Sequence, residues 1–149
     1  LVRMPVMASF EPTLTRTLPF AYAFNQAAAD SLLPVLALHG LQVQKLTAAA
    51  NVTAQGFMVD SVIVRGPRDT PRVLREVTGN WSTSAARTLP AGTYVVPAGQ
   101  QFGLLAFYLL EPESDDGLSS YLGAVLARGH EYPIIRITAR RTLQTQPVR

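Results

Sequence analysis

A strand–helix–strand unit near the start of the chain limits most strongly what the chain can fold into. The apolar segment LPFAYAF, residues 18–24, is typical of a buried strand. The segment NQAAADSLLPVLALHG follows it and is typical of a helix, in which Asn25 can cap the first turn and Gly40 can close the last. LQVQKL, residues 41–46, then alternates apolar and polar residues as a half-buried strand does. This spacing predicts a βαβ crossover with two parallel strands and a right-handed connection.

Pro34 complicates the predicted helix, because proline removes a helical hydrogen bond and clashes with the preceding turn. Either the helix begins near Asp30 or Ser31, with Pro34 in its first turn, or the helix is kinked at Pro34. The remaining elements are mostly strands. Gly56 is a candidate β-bulge in the first of them, and Trp81 is a candidate anchor in the second. The predicted strands are residues 52–64, 73–88, 93–96 and 132–138, and the predicted short helices are residues 102–110 and 119–129.

These elements add up to an α+β fold, with a mixed, mostly antiparallel sheet and two or three short helices packed on it. A chain of 149 residues has the size of one domain. We assign residues 1–17 to a leading segment or linker, residues 18–138 to a single domain, and residues 139–149 to a loose C-terminal tail.

Composition excludes several classes of protein. Hydrophobic residues make up 48% of the chain and charged residues 15%, which excludes a disordered chain. Because charged residues are so few, we expect part of the surface to be covered, either by a second copy in a homodimer or by the rest of a larger protein. Without cysteine there is no disulfide, thiolate zinc site or cysteine nucleophile. The net charge of +3 comes from scattered arginines, so nucleic acid is not a predicted partner. The longest apolar run, residues 102–110, is far shorter than the ~20 residues that span a bilayer.

The sequence contains no motif that assigns a catalytic or cofactor-binding residue. The two histidines, His39 and His130, lack the H-E-x-x-H spacing of a zinc hydrolase. The nucleophile pattern G-x-S-x-G, the Walker loop and the G-x-G-x-x-G loop are all absent. We therefore expect no cofactor in this chain.

The segment YLLEPESDDGL carries four carboxylates directly after the most apolar run. Calcium prefers such hard oxygen ligands, but the segment lacks the spacing of an EF-hand. Pro112 and the S-D-D-G sequence also suit an ordinary exposed turn or a contact with a neighbouring domain, which we favour. A helix C-terminus repels carboxylates, so we expect an arginine, another domain or a metal to compensate them. The candidate cation or domain-contact residues are Glu111, Glu113, Asp115 and Asp116.

Four segments carry a resemblance to a known family: ASFEPTLTRTLPFAYAF, LLPVLALHGLQVQKL, AGTYVVPAGQQFGLLAFYLLEPESDDGL and GHEYPIIRI. In this order they resemble the C-terminal region of large bacterial peptidases of the M14 zinc-carboxypeptidase family. That family holds its zinc with an H-x-x-E pair and a later His in a domain that precedes this region. No H-x-x-E occurs here, so none of those residues transfers to this chain. The segment SSYLGAVLARG departs from the family pattern, in which an aromatic–Asn–aromatic run follows DDGL.

The resemblance implies a non-catalytic accessory domain of an exported metallopeptidase. Such a domain would pack on or modulate an N-terminal peptidase domain of the same protein, or help to bind peptide substrate. The zinc would belong to that peptidase domain, and the location would be periplasmic or secreted. The alternative is a stand-alone module that binds peptide or glycan, with calcium ordering the acidic turn. An enzyme with an unrecognised site in this chain has the least support.

Overall fold

The computed structural model describes residues 14–66 and 73–148, so most of the predicted leading segment lies outside the described residues. Within these residues the chain forms nine strands, two α-helices and one 3-10 helix. The order is β1 (Ala21–Phe24), α1 (Gln26–Leu38), β2 (Gln44–Leu46), β3 (Ala50–Gln55), β4 (Phe57–Arg65), β5 (Leu74–Trp81), β6 (Ala85–Leu89), β7 (Tyr94–Pro97), α2 (Gly103–Leu110), the 3-10 helix (Leu118–Leu122), β8 (Ile134–Ile137) and β9 (Thr145–Pro147).

Seven strands form the main sheet in the order β6-β3-β8-β1-β7-β2-β9, and β4 pairs with β5 in a separate hairpin. Every ladder among the described residues is antiparallel, so the sheet is not mixed as predicted. Strands β1 and β2 both run antiparallel to β7, which lies between them. They are therefore parallel to each other, as the βαβ spacing predicts, but they are not neighbours.

Helix α1 has the predicted ends. The side chain of Asn25 accepts a hydrogen bond from the backbone N–H of Ala28 at 3.1 Å, and Gly40 closes the helix with a φ of 70°. The helix begins at Gln26, directly after the predicted cap, so of the two alternatives the one with a start near Asp30 or Ser31 is wrong. Pro34 lies inside the helix on its exposed side, where water can hydrate the carbonyl that proline leaves unpaired.

Two predicted long strands each divide into two. The segment 52–64 separates at Gly56 into β3, in the main sheet, and β4, in the hairpin; the segment 73–88 divides likewise into β5 and β6. A Cβ atom on Gly56 would overlap the carboxylate of Glu131, so a larger residue at this change of sheet would displace the Glu131–Arg87 ion pair. Continuous β-branched sequence predicts extended backbone, but it does not say which sheet a strand joins.

The structure also differs from three smaller predictions. The tail predicted to be loose contains β9, which pairs with β2 at the edge of the main sheet. Helix α2 spans Gly103–Leu110, so it begins one residue later than the predicted helix 102–110. The predicted helix 119–129 is a 3-10 helix over Leu118–Leu122 only. The α+β class is confirmed, although the helices are few.

The core lies on both faces of the main sheet because strand residues alternate in direction. In β1, Tyr22 and Phe24 face the larger cluster, and Ala21 and Ala23 face the smaller one. The larger cluster includes the buried residues of both α-helices and of the 3-10 helix, so all helices pack on one face. Within the described residues, no helix is long and apolar enough to cross a membrane.

Candidate functional site

Two adjacent strands bring Tyr22 and Arg136 to the same place on the helical face of the sheet. The register of β1 and β8 sets these residues directly opposite each other, so their side chains project from one face. Glu111, the residue after α2, meets them there. Its Oε1 accepts hydrogen bonds from the Tyr22 hydroxyl at 2.5 Å and from Nε of Arg136 at 2.8 Å. Nη2 of Arg136 donates to the other carboxylate oxygen.

This ion pair is buried, with Glu111 4% and Arg136 5% exposed. Two guanidinium donors and one phenol donor satisfy the carboxylate, which compensates for its loss of water. The arrangement also overcomes the unfavourable position of a carboxylate beside a helix C-terminus. The predicted compensation by an arginine is therefore confirmed for Glu111.

Both buried phenols near this pair are held in the neutral form. Burial raises the pKa of Tyr22, and the Glu111 carboxylate raises it further through its charge and hydrogen bond. Burial also raises the pKa of Tyr132, against the effect of its hydrogen bond with Ser119. Ser119 in turn donates to the carbonyl oxygen of Pro112 at 3.2 Å. Neither phenol can serve as a base near neutral pH, so both act as structural hydrogen-bonding groups.

The four predicted carboxylates do not form one site. Glu111 points into the core, whereas Glu113 is bound by Arg16, with Nη2 at 2.6 Å and Nε at 3.2 Å from Oε2. Asp115 and Asp116 are exposed in the turn that follows. Among the residues that the structure describes, no three His, Asp or Glu side chains could hold a metal ion together. Cation binding or a domain contact at this turn stays a prediction.

Arg136 also contacts Trp81 of β5. Its guanidinium carbon lies 3.7 Å from the centroid of the indole ring, which is the geometry of a cation–π contact. The same indole packs edge-on against Phe57, with ring centroids 5.2 Å apart. Nε1 of Trp81 is buried and has no hydrogen-bond acceptor among the described residues. Glu111 and Trp81 together fix the position of the Arg136 side chain.

A pocket of about 430 Å³ opens beside Arg136, and we call it the Arg136 pocket. It lies between the segment that precedes β1 and the ends of β3, β5 and β8. Two arginines contribute to its wall, and Trp81 forms another part. The residues that line it are Thr15, Arg16, Thr17, Leu18, Pro19, Gln55, Gly79, Asn80, Trp81, Arg136 and Thr138.

The histidines lie away from this pocket. His39 follows the last residue of α1 and is exposed, in agreement with its predicted position at a helix end. His130 is exposed in the turn before β8. Its neighbour Glu131 pairs with Arg87 at 2.5 Å across the end of the sheet. Neither histidine belongs to a metal-binding group among the described residues.

No motif in the sequence marks Tyr22, Arg16 or Arg136 as a functional residue. Arg136 offered one usable signal, because it is a charged residue within the apolar strand segment PIIRIT. An arginine flanked by isoleucines in a strand requires a buried anion if its face is covered. Glu111, directly after an apolar helix, was the matching candidate. Arg16 offered no comparable signal, since its contact with Glu113 depends on the tertiary fold.

Helix α2 has an exposed apolar face that no part of the described structure covers. Its sequence, GLLAFYLL, contains no charged residue, yet Leu104 is 75% exposed and Tyr108, one turn later, is 45% exposed. Phe102 at the helix start is also exposed and lies beside Gly40, two residues after the exposed Leu38. A helix that is apolar on all sides is normally buried on all sides.

Comparison with known proteins finds similarity to part of a larger protein. Carboxypeptidase 2 of Trichophyton rubrum, of Trichophyton tonsurans and of Trichophyton equinum are each 31% identical to this chain over 136 residues. Each match covers 85% of this chain and 23% of the relative. No protein-family model and no solved structure matches the chain. The chain thus spans less than a quarter of the curated relatives that it matches, and it is distantly similar to that part of a fungal carboxypeptidase.

Proposed function

We propose that this chain is an accessory domain of a carboxypeptidase of the M14 type, and that the zinc and the catalytic residues lie elsewhere in the parent protein. The observation that carries the proposal is the match over 85% of this chain to only 23% of three fungal carboxypeptidases. A bacterial source and a periplasmic or secreted location remain part of the proposal.

The side chains of this domain support a structural role. The residues described do not fit a zinc ion, since no three potential ligands come together. The buried Glu111 and Arg136 neutralise each other, and the phenols of Tyr22 and Tyr132 stay protonated. These groups stabilise the fold and do not supply a base or a nucleophile.

The exposed face of α2 suggests how the domain contacts its parent. In this proposal the Leu104–Tyr108 side of α2 packs on the rest of the polypeptide, which in the relatives is several times longer than this chain. Burial of two large apolar side chains stabilises such a contact by about 1.5–3 kcal/mol each. This face would then explain the low charge content of the sequence.

One experiment tests the parentage. An antibody raised against the 149-residue chain should detect a native protein several times heavier than 16.2 kDa. That protein should remove C-terminal residues from peptides, whereas the purified chain with added zinc should not. A native protein of only this size, or peptide hydrolysis by the chain alone, would contradict the proposal.

A second experiment tests the docking face within the full-length parent. Leu104→Ser should lower the melting temperature of the parent or separate the unfolding of this domain from that of the remainder. Val64→Ser is the control, because Val64 is 59% exposed but lies on the β4–β5 hairpin. Equal effects of the two substitutions would place the contact somewhere else.

A further inference from the structure

We propose that the Arg136 pocket binds a carboxylate group, held by the guanidinium groups of Arg136 and Arg16. This inference goes beyond the accessory role, and it holds or fails whether or not the parent is a carboxypeptidase. The carboxylate can come from the C-terminus of a peptide or from an acidic side chain, since both present the same group.

The charges that line the pocket favour an anion. Two arginines contribute to its wall, and none of the described residues that line it is an Asp or Glu. Their partners, Glu111 and Glu113, are not among the lining residues, although they pair with the same guanidinium groups. Among the described residues, a molecule inside the pocket therefore contacts two guanidinium groups and no carboxylate. Because each guanidinium already has one carboxylate partner, a singly charged group suits the site better than a phosphate dianion.

Arg136 is prepared to accept a ligand. Glu111 occupies its Nε and Nη2, and Trp81 packs on its face, so the side chain is held in one position. Its third nitrogen, Nη1, donates to no described residue. Arginine offers donors along two edges, and a second carboxylate can bind the edge that Glu111 leaves open. A group fixed before binding loses little conformational freedom when the ligand arrives.

The rest of the pocket suits a small polar molecule with an apolar part. Leu18 and Pro19 provide apolar surface, whereas Thr15, Thr17 and Asn80 provide polar groups. The volume of about 430 Å³ lies within the usual range of small-molecule sites, about 300–1,000 Å³. Arg16 is 32% exposed at its side chain, so it can reach a ligand from the rim.

The single tryptophan makes the pocket directly observable, because Trp81 is the only Trp in the chain and is part of the pocket wall. The 149-residue chain is titrated with three probes while Trp81 fluorescence and its indole N–H resonance are recorded. The probes are acetyl-glycyl-glycine, its C-terminal amide, and acetyl-aspartic acid amide. The first and third carry one carboxylate from the two sources, and the second carries none.

We expect saturable changes with one or both carboxylate probes and none with the amide. Arg16→Gln should weaken binding by at least about tenfold, because it removes a charged donor. Arg87→Gln is the matched control, since Arg87 is also a partly exposed arginine paired with a glutamate, but outside the pocket. It should leave the affinity unchanged.

The result that would overturn the proposal is equal binding of the amide, equal affinity in Arg16→Gln and wild type, or no saturation with either carboxylate probe. Arg136→Lys is a second variant that keeps the charge but loses the forked geometry. If its melting curve shows a folded protein, unchanged affinity in this variant would also overturn the role of Arg136.

Discussion

Replacing Glu111 by glutamine tests whether the buried ion pair stabilises the fold. The amide keeps the shape of the side chain and can still accept a hydrogen bond from Tyr22. The substitution removes the only negative charge among the described residues that lies within hydrogen-bonding distance of Arg136, which is 5% exposed. Removing one partner of a buried ion pair destabilises a protein by about 3–5 kcal/mol, because the other charge stays buried and uncompensated. Since a domain of this size is stable by only about 5–15 kcal/mol, Glu111→Gln should remove a large part of its stability.

The assay is urea-induced unfolding, followed by circular dichroism and by the emission of Trp81. Glu131→Gln is the control, because it breaks an ion pair with Arg87 in which the Glu131 side chain is 38% exposed. Such a pair contributes at most about 1 kcal/mol. A loss below 1 kcal/mol in Glu111→Gln, equal to that of the control, would refute the reasoning. Replacing both Glu111 and Arg136 by methionine should recover part of the loss, since no buried charge remains.

Two further predictions concern pH and calcium. In the folded chain the pKa of Tyr22 and the pKa of Tyr132 both lie above the unfolded value of 10.0. The free energy of unfolding should therefore be independent of these phenols below pH 10. Above pH 10 it should fall by about 1.4 kcal/mol per pH unit for each phenol. Unfolding free energies measured between pH 8 and pH 11 check this, and a flat profile above pH 10 would contradict it. Calcium should leave the melting temperature unchanged, because arginines already bind Glu111 and Glu113. Only two carboxylates of the turn, those of Asp115 and Asp116, then lack an ion-pair partner among the described residues, and both are exposed. A calcium-dependent rise that is lost in the double Asp→Ala variant would instead support the calcium-ordered module.

Local signals in the sequence predicted local structure well. Asn25 predicted the start of α1 because a cap depends on a side chain and a backbone N–H three residues apart. Gly40 predicted its end because few other residues adopt a positive φ. The parallel relation of β1 and β2 followed from the length of the connection between them. Each of these features is decided by residues close together in the chain.

Features that depend on distant contacts were not predictable in this way. The change of sheet at Gly56 places β3 beside β6 and β8, and β4 beside β5, which are pairings between segments distant in the sequence. The pairing of β9 with β2 depends on an edge that only the complete sheet provides. The Arg136 pocket likewise requires the segment before β1, β5 and β8 to meet. A single sequence gives no measure of such long-range proximity.

The acidic segment after α2 combines two roles that the sequence alone did not separate. Glu111 neutralises Arg136 and occupies its Nε and Nη2, while Arg136 also lines the pocket. At the rim, a single oxygen of Glu113 accepts from Nε and Nη2 of Arg16, whose Nη1 donates to the carbonyl oxygen of Thr15. Substitution of Glu111 should therefore change both the stability of the domain and its affinity for a carboxylate. Substitution of Arg16 should change the affinity with little loss of stability, because the ion pair of Arg16 is partly exposed. Because the two variants affect stability and affinity in different proportions, comparing them separates the structural role of the buried pair from its role in positioning Arg136.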